Sequence, residues 1–315
     1  MLKPSSLPRL RPTAAQVNAL GVLSDYLALT KPPIILLLLI TALGGMFLAA
    51  EGTPPVGVMA LLLVSGAAAA GGAGAINHVM DRDIDLIMSR TRRRPVPGRR
   101  IAPGSALAFG ILLNLFAFIL LATSVNLLSA VLTLSGTLFY VFVYTWWLKR
   151  STPQNIVIGG AAGSVPPLAG WAAVTGGLEV PALYLFALIF FWTPPHFWAL
   201  ALLLREDYSR AGIPMLPVVK GIAATQRGIL AYTVVVVATS LLFFFATDAV
   251  GWTYLVAAVV LGAVFLSLAW RVAPIGPAKP PNPGMDKAAR VLYLYSLLYI
   301  ALIFVAVMVD SVVGL

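Results

Sequence analysis

The chain has 315 residues, of which 60% are hydrophobic and 10% charged, with a net charge of +10 and no cysteine. A soluble domain usually carries about 25% charged residues, which excludes an ordinary cytosolic enzyme and a disordered chain. Without cysteine there are no disulfides, zinc–thiolate sites or iron–sulfur clusters. Several apolar runs reach the roughly 20 residues that cross a hydrocarbon core as a helix, and they do not alternate as barrel strands do. The expected class is an all-α polytopic membrane protein.

Residues 1–24 hold Lys3, Arg9 and Arg11 but no acid. They lack the apolar region of a cleavable signal and predict a short cytoplasmic extension, with 25–315 forming one membrane domain. Nine spans are predicted: 33–50, 57–80, 104–123, 127–147, 154–174, 181–203, 226–247, 252–270 and 291–311. With the N-terminus cytoplasmic, all 21 Lys and Arg fall on the inner side, while Glu51, Glu179, Asp248 and Asp310 lie outside. The positive-inside rule therefore sets the orientation and leaves the C-terminus outside. Basic residues confined to short segments between spans are topology signals, so no nucleic-acid partner is expected. The glycine-rich second span (Gly66, Gly71, Gly72, Gly74) and the Gly159–Gly163 pair predict close helix packing in the bilayer.

Two inner loops, 81–103 and 204–225, are long enough to expect function. The first opens with Asn77-His78-Val79-Met80-Asp81-Arg82-Asp83-Ile84-Asp85. Carboxylates this near the hydrocarbon are costly unless paired, hydrated or metal-bound. At about 100° per residue, Asn77, Asp81 and Asp85 fall near 0°, 40° and 80°, with His78 close by and Asp83 near 240°. Four-residue steps put consecutive side chains ~6 Å apart, so Asp81 and Asp85 can share a hard cation. Oxygen ligands without cysteine suit Mg²⁺, which readily takes substrate phosphates as further ligands. The bland alternative is a solvated helix end whose acids pair with nearby arginines. Arg90, Arg94 and their neighbours form a dense cationic loop that could clamp a diphosphate or simply mark the inner face. No Walker A motif is present to support nucleotide hydrolysis.

Tyr144, Lys149, Arg150 and Thr152 add donors on the same side. In the second loop the acids are Glu206 and Asp207. His196 lies eleven residues before Asp207, which on one continuous helix puts both on one stripe about 16 Å apart. Pro194 and Pro195 free carbonyls that His196 could cap, so a structural role and a functional one are both open.

Asn77-x-x-x-Asp81-x-x-x-Asp85, followed by Arg90-Thr91 and Arg94-Pro95, resembles the motif of the UbiA-type intramembrane prenyltransferases. The strings Leu29-Thr30-Lys31-Pro32, Asp81 to Asp85, Tyr144 to Thr152, Trp192-Thr193-Pro194-Pro195-His196-Phe197-Trp198 and Gly212 to Val218 are similar to one branch, the protohaem IX farnesyltransferases. The resemblance covers about residues 25–310. It implies nine transmembrane helices around a central cavity capped by cytoplasmic motif loops, in a bacterial inner membrane. It also implies transfer of farnesyl from farnesyl diphosphate to a vinyl group of haem b, with addition of water. On that reading one or two Mg²⁺ ions bind at Asp81 and Asp85. Arg90, Arg94, Lys149 and Arg150 stabilise the departing diphosphate, and Trp192, Phe197 and Trp198 could face the allylic cation. His78 and His196 would belong to the haem side. Haem A synthase or oxidase assembly proteins are conceivable partners. One departure is Ala211, which stands where many family members carry a second-loop aspartate, leaving Glu206 and Asp207 as the available acids. Rival readings are a prenyltransferase for a quinone precursor such as 4-hydroxybenzoate, a haem-binding subunit without prenyl chemistry, and a cation-coupled transporter. Transporter sites tend to lie near the bilayer midplane, whereas these acids lie at one face.

Overall fold

Proline and glycine punctuate the apolar runs, and helices begin and end at them. The computed structural model describes residues 19–274 and 283–313. In chain order it has α1 (Ala19–Thr30), α2 (Pro32–Ala49), α3 (Val56–Met80), α4 (Arg82–Ile87), α5 (Pro103–Ser124) and α6 (Leu127–Leu138). A π-helical stretch, Phe139–Leu148, carries α6 into α7 (Lys149–Ser151). Then follow α8 (Asn155–Gly163), α9 (Val165–Thr175), α10 (Val180–Leu203), α11 (Arg205–Arg210) and α12 (Leu216–Val219). The last three are α13 (Gly221–Ala246), α14 (Trp252–Val272) and α15 (Pro283–Val313). Proline stands in the first turn of α2, α5, α9 and α10, where its missing N–H is no loss. Gly176 ends α9 at φ 72°, the left-handed conformation that glycine adopts without strain.

Among the described residues nine helical segments are long and apolar enough to cross a membrane, and all nine coincide with predicted spans. The seventh, α13, starts at Gly221, five residues before the predicted 226, and so takes in residues 221–225 as well. The expected extension fares differently: residues 1–18 lie outside the described residues, and α1 begins inside it at Ala19. Its Leu20, Leu23 and Leu27 are exposed, so this helix, too short to span, presents an apolar face. Asp310, placed on the outer side by the charge pattern, is buried there and caps α14: the backbone N–H groups of Gly251 and Tyr254 donate to its carboxylate.

Helix α2 packs on α9, and α3 on α5, with glycines where the two backbones touch. A Cβ on Gly45 would overlap the Pro167 carbonyl, and one on Gly170 would overlap the Ala42 carbonyl. Gly72 and Gly110 meet in the same way. Of the predicted Gly159–Gly163 pair, Gly159 lies against the Tyr144 ring, whereas a Cβ on Gly163 would meet nothing. Overfilling such contacts typically costs about 1–3 kcal/mol. Gly45→Val is therefore expected to lower the melting temperature in detergent, and Gly163→Ala to leave it unchanged. Behind these pairs, Tyr254, Tyr299, Phe243, Phe265 and Phe304 fill the contact between α13, α14 and α15.

Candidate active site

The acids sit where α3 gives way to α4. Asp81 occupies the junction at φ −92° and ψ 6°, yet the helical ladder persists through it. Asp81 N–H donates to the Asn77 carbonyl at 2.9 Å, and Asp85 N–H to the Asp81 carbonyl at 2.8 Å. The side chains therefore keep nearly helical phase. Asn77, Asp81 and Asp85 are buried, and the Asp83 side chain is 61% exposed on the opposite face.

Each acid has a cation of its own. Lys149 Nζ lies 2.5 Å from Asp81 Oδ2, and Arg94 Nη1 lies 3.0 and 2.9 Å from the two oxygens of Asp85. Arg150 donates to both oxygens of Asp83 at 2.8 Å and to the Met80 carbonyl at 2.9 Å. That fork holds the Asp83 carboxyl down at about 2. Asn77 joins the cluster together. Its Nδ2 donates to Asp81 Oδ2 at 2.8 Å and to Thr145 Oγ1 at 3.1 Å, and its Oδ1 accepts from Lys31 Nζ at 2.6 Å. Asp81 Oδ1 has no hydrogen-bond partner; Arg150 Nη2 stands 3.9 Å from it. A buried carboxylate oxygen left unsatisfied is costly, and it marks where a cation can bind. Among the described residues no three His, Asp or Glu side chains form a ready cage for a metal. A pair of carboxylates completed by phosphate oxygens and water is the arrangement Mg²⁺ favours, so Asp81 and Asp85 suit that ion.

Lys31 and Thr145, present in the sequence reading only within the strings Leu29 to Pro32 and Tyr144 to Thr152 and given no role there, are further functional candidates. Lys31 stands between α1 and α2 at φ 58°, a strained conformation for lysine, with Nζ 3.4 Å from the Tyr140 hydroxyl. Burial, reinforced by the charges of Arg94 and Lys149, pushes its ammonium down to about 7 against the pull of Asp81 and Asp85.

In the second loop Ser89 Oγ donates to Asp207 Oδ2 at 2.6 Å, and Arg210 pairs with Oδ1. The Ser89 hydrogen bond, helped by Arg210, holds the Asp207 carboxyl below its usual range. Asp207 thus ties the two motif loops together, while Glu206 is exposed and joins neither. Between His196 and Asp207, α10 passes into α11 at Leu204 (φ −107°, ψ 17°) with the i−4 hydrogen bonds of Leu204 and Tyr208 kept, as at Asp81, but the two side chains share no partner. His196 faces α15 instead, with Nδ1 2.7 Å from Ser296 Oγ and its ring stacked on Trp192 and Tyr293 at 4.4 and 4.9 Å. It does not cap the carbonyls freed by Pro194 and Pro195. Those are the carbonyls of Phe190 and Phe191, and Thr193 Oγ1 donates to the adjacent Ile189 carbonyl at 2.7 Å.

The profile described as the UbiA prenyltransferase family matches residues 38–283. The chain belongs to the UbiA prenyltransferase family. A protein named Protoheme IX farnesyltransferase from Symbiobacterium thermophilum is 52% identical over 92% of this chain and 94% of its own length. A second of that name, from Roseiflexus sp., is 46% identical over 99% of this chain; it is longer, and the alignment covers 57% of it. The fold matches the solved structure of a UbiA homolog from Archaeoglobus fulgidus bound to GPP and Mg2+, at a TM-score of 0.65 and 18% identity, over 90% of this chain and 99% of that one.

Within this UbiA chain the remaining expected residues divide. Arg90 is exposed and makes no ion pair among the described residues, so its guanidinium is available at the loop surface. Tyr144 stacks on Tyr140 at 5.7 Å beside the acids. Trp192 lies against His196 and donates Nε1–H to the Ser296 carbonyl at 2.7 Å. Trp198 is turned elsewhere, packing on Gly228 and edge-on to Tyr232 of α13, away from the Trp192–His196 stack. His78 is buried in α3 with neither ring nitrogen partnered.

Proposed function

We propose that this UbiA-family chain transfers a farnesyl group from farnesyl diphosphate to a vinyl group of haem b, giving haem O. The observation that carries the reading is 52% identity over 92% of the chain with a protoheme IX farnesyltransferase. The paired acids and cations at one face of the bundle supply the chemistry it needs.

Breaking the C1–O bond of the diphosphate leaves negative charge on the departing group, and stabilising that charge is the largest catalytic task. Arg94, Lys149 and Arg150 already point at the acids, and Arg90 and Lys31 flank them, so all five can turn to phosphate oxygens. Mg²⁺ bound by Asp81 and Asp85 would neutralise further diphosphate charge. Asn77 orients Asp81 and Lys31 together. The terminal vinyl carbon attacks the allylic cation, and water adds to the cation left on the carbon next to the porphyrin and loses a proton, completing the hydroxyethylfarnesyl side chain. Trp192 and Phe197 offer aromatic faces near His196. His196 and His78 serve the haem side of the reaction, and Asp207 serves by joining the loops. Haem A synthase and oxidase assembly proteins draw no support from these relatives and stay outside the proposal.

Incubating purified protein with haem b, farnesyl diphosphate and Mg²⁺ should give a product whose mass equals haem b plus a farnesyl group and a hydroxyl. A product formed instead from 4-hydroxybenzoate, with haem b unchanged, would favour the quinone-precursor reading.

Lys31 makes a pH prediction. A lysine near neutrality in the free protein binds diphosphate best when protonated. The apparent affinity for farnesyl diphosphate should therefore fall as pH rises through about 7, and Lys31→Arg should flatten that slope. Measuring KM from about pH 6 to about pH 9 in both proteins checks it; parallel curves would remove Lys31 from the diphosphate site.

The proposal puts the motif loops in the cytoplasm. The chain has no cysteine, so one introduced at Arg99 can be labelled without background. It should react in inverted vesicles and not from outside intact cells.

A further inference from the structure

Ser296 of α15 accepts or donates to three groups from two helices. Its carbonyl accepts Trp192 Nε1–H at 2.7 Å, and its Oγ lies 2.7 Å from both His196 Nδ1 and the Tyr293 carbonyl. A serine hydroxyl has one proton to give, and a carbonyl can only accept. If the proton went to His196, two acceptor oxygens would face each other at 2.7 Å with nothing between them. The hydroxyl proton must serve Tyr293, so His196 Nδ1 carries the proton that Ser296 accepts. The ring is then the neutral tautomer whose Nε2 holds a bare lone pair, directed away from α15. Trp192 and Tyr293 both stack on it, at interplanar angles of 18° and 26°, which fixes the ring's plane as well as its proton.

A metal-binding histidine nearly always donates its other ring N–H to an acceptor that sets tautomer and orientation. His196 meets that condition. His78, with both nitrogens unpartnered, does not. We propose that His196 Nε2 is the axial ligand of the haem iron in the acceptor substrate, and that Ser296 is the positioning residue that keeps it in the ligating tautomer. The inference rests on the haem reading above. An axial imidazole stands upright on the porphyrin, so the edges of Trp192 and Tyr293 would meet the macrocycle beside the iron.

The test uses the full-length protein in detergent, titrated with haem b and read by Soret absorbance and by the ferrous iron–histidine stretch in resonance Raman spectra. Wild-type protein should give a histidine-ligated spectrum that His196→Ala loses and added imidazole restores. Ser296→Ala should weaken haem b binding by about 10- to 100-fold and shift the iron–histidine stretch, while Ser296→Thr keeps both near wild type. Affinity for iron-free protoporphyrin IX should be unchanged in Ser296→Ala, a result that a merely structural role would not give. An identical iron spectrum in wild type and His196→Ala would overturn the ligand while leaving haem as the acceptor. So would equal haem affinity in wild type and Ser296→Ala, a comparison that holds even where His196→Ala fails to fold. Failure of the wild-type protein to bind haem b at all would overturn both the acceptor and its ligand.

Discussion

Asp81→Asn is expected to lower turnover by at least about 10³-fold while the protein stays folded. A single preorganised group acting on charge in the transition state is commonly worth 10²–10³ in rate, and Asp81 acts on several. Its Oδ2 receives Lys149 and Asn77, and its Oδ1 has no partner and is the oxygen best placed to meet a cation. The amide is preferred to alanine as the test. Lys149 is largely buried, and removing the partner of a buried ion costs about 3–5 kcal/mol, which would confuse misfolding with lost catalysis. Asp85→Asn should show a loss of similar size, because it releases Arg94 and removes the second carboxylate. Asp83→Asn should cost far less: its carboxylate is exposed and serves mainly to hold Arg150. Product formation in the three variants decides the matter, and equal losses at all three positions would show that the acids do not divide into an inner pair and an outer one.

Removing divalent metal is the second large effect. Excess chelator should abolish product formation, and Mg²⁺ should restore it. Two carboxylates without a protein cage are too few to hold a divalent ion against a strong chelator, so the effect should be prompt and reversible. The restored rate should depend on Mg²⁺ and farnesyl diphosphate jointly, since phosphate oxygens complete the coordination. Undiminished activity in excess chelator would falsify metal involvement.

Much of this was legible in the sequence because spans, loops and acid spacing follow from hydropathy and helical phase. The four-residue spacing of Asn77, Asp81 and Asp85 put them on the buried side, and Asp83 away from it, where they are found. Phase reasoning failed where the backbone leaves the α-helix. From Tyr140 to Lys149 is nine residues, which on an α-helix at about 100° each ends on opposite faces. The π-helical stretch between them turns by roughly 80° per residue through its i→i+5 ladder, so nine steps return to nearly the same face. That is why Tyr140 reaches Lys31, Thr145 reaches Asn77 and Lys149 reaches Asp81 on one side of one element. No propensity scale signals such a stretch. Ser296 escaped notice because its importance lies in a contact a hundred positions along the chain from His196.

The salt bridges of the acid cluster set an order of events. With Lys149 on Asp81 and Arg94 on Asp85, a divalent ion arriving alone meets a site already neutralised and must displace ammonium and guanidinium groups into a poorly solvated space. A prenyl diphosphate arriving alone finds the same cations engaged. Arriving together, each frees what the other needs: the phosphates take the cations, and the carboxylates take the metal. The two ligands are therefore thermodynamically synergistic, and by reciprocity each must tighten the other's binding by the same factor. On the proposed chemistry, an empty site of this kind has little affinity for stray divalent ions or for inorganic phosphate, and it would rest unloaded until a metal–diphosphate complex reaches the membrane face.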